Sequence, residues 1–130
     1  MKDHIQRGTG SMKVAIGMLG LFAVLFLIAL CPMTADAHPP KEVKLVYNVT
    51  SQKLEVTIMH ETSFPGFHYI NKTEIRKNGE SVGVYNYHIQ PTKSDFTYTY
   101  NVPAVQGDVL EVTATCKLSG SKTAKLTVGQ

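Results

Sequence analysis

An all-β sandwich of about seven strands, preceded by an N-terminal hydrophobic segment, is the fold this 130-residue sequence predicts. Three observations predict it. From Glu42 onward apolar and polar residues alternate with period two, turn residues punctuate the chain at short intervals, and no stretch sustains helical spacing.

Each strand has its own apolar face. Val43, Leu45, Tyr47 and Val49 share one side of a strand over 42–49, and Leu54, Val56, Ile58 and His60 do so over 53–60. Strands over 68–77 and 80–89 flank Asn78-Gly79, a pair that tolerates positive φ and therefore marks a tight hairpin. Phe96, Tyr98, Tyr100 and Val102 alternate along 94–102. Leu110, Val112, Ala114 and Cys116 alternate along 108–116, and Ala124, Leu126 and Val128 along 121–128. The odd number of strands and the long connections between some neighbours favour an immunoglobulin-like Greek key over a closed up-and-down barrel.

The first third of the chain differs. Residues 1–12 are polar and Gly-rich, Lys13 precedes an apolar run from Val14 to Leu30, and Ala35-Asp36-Ala37 has the small-x-small form that signal peptidase reads. Residues 1–37 are thus expected to be an export signal or, if uncleaved, a membrane anchor. Cys31 follows a lipobox-like stretch, but the bulky Leu30 stands where a lipoprotein signal needs a small residue. Residues 38–130 form the expected sandwich domain. They hold ten Lys or Arg against eight Asp or Glu. So balanced a charge gives nucleic-acid binding no support. Neither a Ser-His-Asp arrangement, a paired-carboxylate motif nor a phosphate-cradling Gly loop is evident, which leaves hydrolase and kinase readings without a basis.

Chemistry is concentrated in four residues. Cys116 closes one apolar strand face and His60 another, His68 follows a Pro-Gly loop, and His38 opens the domain. Imidazole and thiolate ligands suit iron, zinc or copper better than calcium or magnesium. With residues 1–37 removed, Cys116 is the only cysteine of an exported domain, so it cannot form an internal disulfide. His88 lies in no motif and reads as a surface histidine.

His60, the His68-Tyr69-Ile70 segment, the Asn-Gly hairpin and Cys116-Lys117-Leu118-Ser119-Gly120 together resemble the iron-binding domain of superoxide reductases, the desulfoferrodoxin and neelaredoxin family. The order and spread are similar over nearly all of residues 38–130. The resemblance implies an immunoglobulin-like sandwich that binds ferrous iron. Cys116 would be its axial thiolate, and His60, His68 and His38 equatorial ligands. It also implies an electron-donor protein as partner, with superoxide meeting the open position. Several features depart from the pattern. Ser119 stands where the family has its last histidine, Glu61-Thr62 replaces Pro-Met after His60, and the interval to His68 is two residues longer. The family's Glu-Lys pair would fall within residues 1–37. The ligand set is therefore incomplete.

Two further readings remain open at the level of sequence. Cleavage after Ala37 would make His38 the first residue, whose amine and ring could chelate copper with His60 or His68, as in histidine-brace copper proteins. The domain also resembles the carrier subunit of the periplasmic thiosulfate-oxidising complex, a non-catalytic sandwich. In that case the tyrosine-rich strands around Tyr85-Tyr87 and Phe96, Tyr98 and Tyr100 would face a partner, or else serve as core.

Overall fold

In the computed structural model of the chain the described residues are 38–130. The expected signal or anchor segment and Cys31 lie outside them. Seven strands form: β1 (Glu42–Asn48), β2 (Lys53–Met59), β3 (Ile70–Lys77), β4 (Glu80–Asn86), β5 (Asp95–Asn101), β6 (Val109–Cys116) and β7 (Ser121–Thr127). They build two antiparallel sheets, ordered β1-β2-β5 and β4-β3-β6-β7. The all-β, immunoglobulin-like sandwich expected from the alternation is thus the observed fold.

The period-two faces meet in one core. Leu54, Val56 and Ile58 of the first sheet and Ile75, Leu110, Val112 and Ala114 of the second have no exposed surface. Burying each of the larger of these side chains stabilises the fold by about 1.5–3 kcal/mol. The two edges are closed differently. β1 and β7 lie side by side at one edge. At the other, tyrosines of the β4 side meet those of β5. The Tyr87 and Tyr98 rings stack at 4.4 Å and 4°, Tyr85 lies 4.5 Å from Tyr100, and the Tyr87 and Tyr100 hydroxyls are 2.5 Å apart. Burial pushes the Tyr98 hydroxyl up to about 12 and raises those of Tyr87 and Tyr100, so all three stay neutral. Phe96 and Tyr100 are core residues, as the alternation implies.

Connections decide where chemistry can sit. Asn78 and Gly79 have φ of 52° and 86° and join Lys77 directly to its cross-strand partner Glu80, the tight hairpin expected of this pair. Three links cross between the sheets. Those over 60–69 and 87–94 do so at one end of the sandwich and the link over 102–108 at the other. The ends of β3 and β4 differ from expectation for this reason. β3 begins at Ile70 rather than at His68, and β4 stops at Asn86, because the chain must leave one sheet for the other at these points. A bulge at Asn71 shifts the β3–β6 register between the Ile70–Cys116 and Lys72–Thr115 pairs. Bulges of this kind re-aim the neighbouring strand ends.

Candidate metal centre

His60, His68 and Cys116 come together at the end of the sandwich where two of the crossings lie. Each offers one ligand atom, and the three atoms all lie within 4.8 Å of one another. Three different local structures deliver them. His60 is the residue after β2 and continues its inward alternation, with no exposed surface. Cys116 ends β6 on the buried face at 4 % exposure, and its N–H donates to Gly120 O at 3.0 Å to close the turn. His68 sits in the loop between β2 and β3, where its N–H and that of Phe67 both donate to Phe64 O at 2.9 Å.

His38 completes the group from the N-terminal side. Its ring centroid is 5.4 Å from that of His60 and 5.3 Å from that of His68, while those two are 4.7 Å apart. Its Nδ1 lies 3.2 Å from Pro39 O, and its ligand atoms fall outside the 4.8 Å cluster. The segment is held on both sides: Pro40 is buried, Lys41 N donates to Met59 O at 2.8 Å, and a Cβ at Gly120 would stand 3.0 Å from Pro39 Cβ. Gly120 has a φ of 65°, so the turn after Cys116 and the approach of Pro39 both require a glycine there. Ser119 is half-buried in the same turn, and His88 is exposed on the 87–94 loop, apart from the cluster. Lys41 pairs with Glu61 at 2.9 Å at the surface and draws the Glu61 carboxyl below its usual range.

Gln90, which no sequence pattern singles out, fixes the state of His60. Its Nε2 faces three carbonyls, His60 O at 2.7 Å, Thr92 O at 2.9 Å and Ser94 O at 3.4 Å. The amide orientation follows, so Oε1 accepts from His60 Nδ1–H at 2.7 Å. His60 Nε2 is then the unprotonated nitrogen, with its lone pair available. Burial, opposed by the Gln90 hydrogen bond and aided by His68, holds the His60 imidazole below its ordinary value and favours this neutral form.

The donor set fits a metal on one further observation. His60 Nε2 and His68 Nε2 are both buried and have no hydrogen-bond partner. A buried polar atom without a partner costs about 1–3 kcal/mol, and a cation bound by the two histidines would satisfy both nitrogens. Two imidazoles and one thiolate suit iron, zinc or copper. Of the four residues expected from the sequence, the structure thus brings three into ligand range and sets the fourth beside them. Comparison of the chain with protein-family models returns no match, and comparison with curated proteins returns none either.

Proposed function

We propose that the protein is an exported metal-binding protein of superoxide reductase-like character, holding iron through Cys116, His60 and His68, with His38 as the adjoining fourth ligand. One observation carries this reading: His60 and His68 each place a ligand nitrogen within 4.8 Å of the Cys116 sulfur, and each has a buried Nε2 without a hydrogen-bond partner. Bound iron would supply the one-electron couple that superoxide reduction needs. The residues supply the rest. Gln90 keeps His60 in the tautomer whose Nε2 can ligate, and Cys116 would supply the sulfur ligand, losing its thiol proton on binding the metal. His60 and Cys116 are buried against the apolar strand faces, while His68 and His38 are half-buried. Ser119, in place of the family's last histidine, leaves room in the ligand set and makes metal binding the firmer part of the proposal.

The test is metal analysis of protein purified without added metal, with spectra of the wild type and of Cys116→Ser. Stoichiometric iron and a thiolate-to-iron charge-transfer band lost in Cys116→Ser support the reading. Superoxide consumption with a reductant then tests turnover, and Ser119→His is expected to raise it. Copper binding unaffected by Cys116→Ser would favour a second reading, a histidine brace, which the placement of the His38 ring beside His60 and His68 supports. A folded protein that binds neither metal would remove both and favour a non-catalytic carrier.

A further inference from the structure

Large apolar side chains stand in solvent around the end of the sandwich that holds the site. Phe64 is 71 % exposed, Phe67 60 %, Ile89 61 % and Leu118 39 %. Of the three phenylalanines among the described residues, Phe96 is buried, and the other two project from a single short loop. These side chains belong to three loops that are tied together. Gln90 N donates to Pro65 O at 3.1 Å, Lys117 N donates to Tyr69 O at 2.9 Å, and the Lys117 ammonium lies 5.9 Å from the Phe67 ring centre. A single exposed leucine needs no explanation. Val46, Val82, Val84 and Val105 are exposed elsewhere, but two phenylalanines and an isoleucine on loops bonded to one another bring the largest of the exposed apolar side chains to one end.

The chain enters the domain at this same end. His38, the first described residue, has its ring against those of His60 and His68. Only residues 31–37 separate it from the apolar run of 14–30, and seven residues span at most about 25 Å. Any bilayer holding that run is therefore within reach of the loops and not of the opposite end alone. The charge of the rim is also suitable. Lys93 and Lys117 are exposed and take part in none of the ion pairs among the described residues, and the Lys117 ammonium, 5.0 Å from the Tyr69 ring centre, sets a positive charge beside Phe67 that suits anionic headgroups.

We propose that this rim is a lipid-docking surface. Residues 14–30 stay in the membrane as an anchor, Phe64, Phe67 and Ile89 seat in the interfacial layer of the same bilayer, and Lys93 and Lys117 lie at its headgroups. The short tether keeps the loops at high effective concentration against the surface, so a modest apolar contact suffices to hold them there. Docking presents the His60, His68 and Cys116 end to the membrane, and it stands whichever metal the site takes.

The chain contains no tryptophan, so one introduced indole reports on one place. Phe67→Trp places it on the rim, and Val105→Trp places a control on the exposed 102–108 loop at the opposite end. The full chain would be reconstituted into phosphatidylcholine–phosphatidylglycerol vesicles with and without brominated acyl chains. Brominated lipid is expected to quench the indole at 67 several-fold more than that at 105, and Phe64→Asp with Ile89→Asp is expected to abolish the difference. Equal, weak quenching at both positions would overturn the proposal. So would a quench-free indole at 67 whose emission depends on protein concentration, because a second copy would then cover the rim. Recovery from an exporting cell of a soluble chain beginning at His38 would overturn it as well. Iron content measured on the same samples keeps this outcome separate from that of the metal reading.

Discussion

Gln90 Oε1 and His60 Nδ1 are 2.7 Å apart in a buried contact, and the other end of the same amide is held by the carbonyls of His60, Thr92 and Ser94. One side chain therefore links the crossing from β4 to β5 with the histidine that follows β2. It leaves the imidazole a single nitrogen with which to ligate.

Replacing Gln90 with Leu removes that link. Metal affinity is expected to fall about 10- to 100-fold, as for other residues that orient a ligating imidazole. The orphaned Nδ1–H and carbonyls should also lower stability by about 1–3 kcal/mol. Metal titration and denaturant unfolding measure the two effects separately, and an unchanged affinity would show that His60 needs no orienting partner.

Gly120→Ala meets two obstacles, a left-handed backbone and Pro39 Cβ at 3.0 Å. The first costs about 1–2 kcal/mol. The second displaces the segment that carries His38. Gly120→Asn tolerates the backbone better but keeps the contact, so it should recover part of the stability and none of the lost metal affinity. Full recovery of affinity by Asn would mean that the seat of Pro39 does not position His38.

Stability of the metal-free protein should fall in mild acid. Burial holds the folded His60 imidazole below the ordinary 6.5, so in the window beneath 6.5 the unfolded chain binds a proton that the folded chain does not. Lowering the pH through that window favours unfolding. The lowered carboxyls of Glu61, paired with Lys41, and Asp108, bonded to Val105 N–H and Asn78, act separately. Their contribution is present above the ordinary values of 4.5 and 3.8 and is lost only at lower pH. Thermal midpoints measured from about pH 7.5 down to 5 should decline; a level profile would mean that His60 is protonated as easily in the fold as outside it.

Tyr47→Phe serves as the contrasting case. The Tyr47 hydroxyl donates to Val102 O at 2.7 Å and accepts from Ala104 N at 3.1 Å, at the end of the sandwich away from the site. Its loss should cost about 1–3 kcal/mol of stability and leave metal affinity unchanged. A coupled loss of both would show that the two ends do not behave independently.

The alternating runs made the strands legible, because a half-buried strand writes its burial directly into the sequence. Cys116 and His60 were visible for the same reason: each continues a run of inward positions by one step. His68 was placed by its neighbours Tyr69 and Ile70, although it stands in a loop rather than on a strand. Gln90 was not visible. A glutamine is usually a surface residue, and nothing in its neighbourhood repeats, so its burial becomes apparent only when the two sheet-crossing loops lie against each other. The bulge at Asn71 is hidden similarly, since register is a property of two strands and not of one.

The hydrophobic core draws none of its members but Cys116 from the cluster of ligands. In a zinc finger the metal is the core, and chelation unfolds the chain. Here the core, the tyrosine-lined edge and the Asn78-Gly79 hairpin are built from residues other than His60 and His68. A chelator is therefore expected to leave the sandwich folded, which far-ultraviolet circular dichroism and thermal unfolding with and without chelator would check; loss of the folded signal on chelation would place the cluster among the elements that hold the fold.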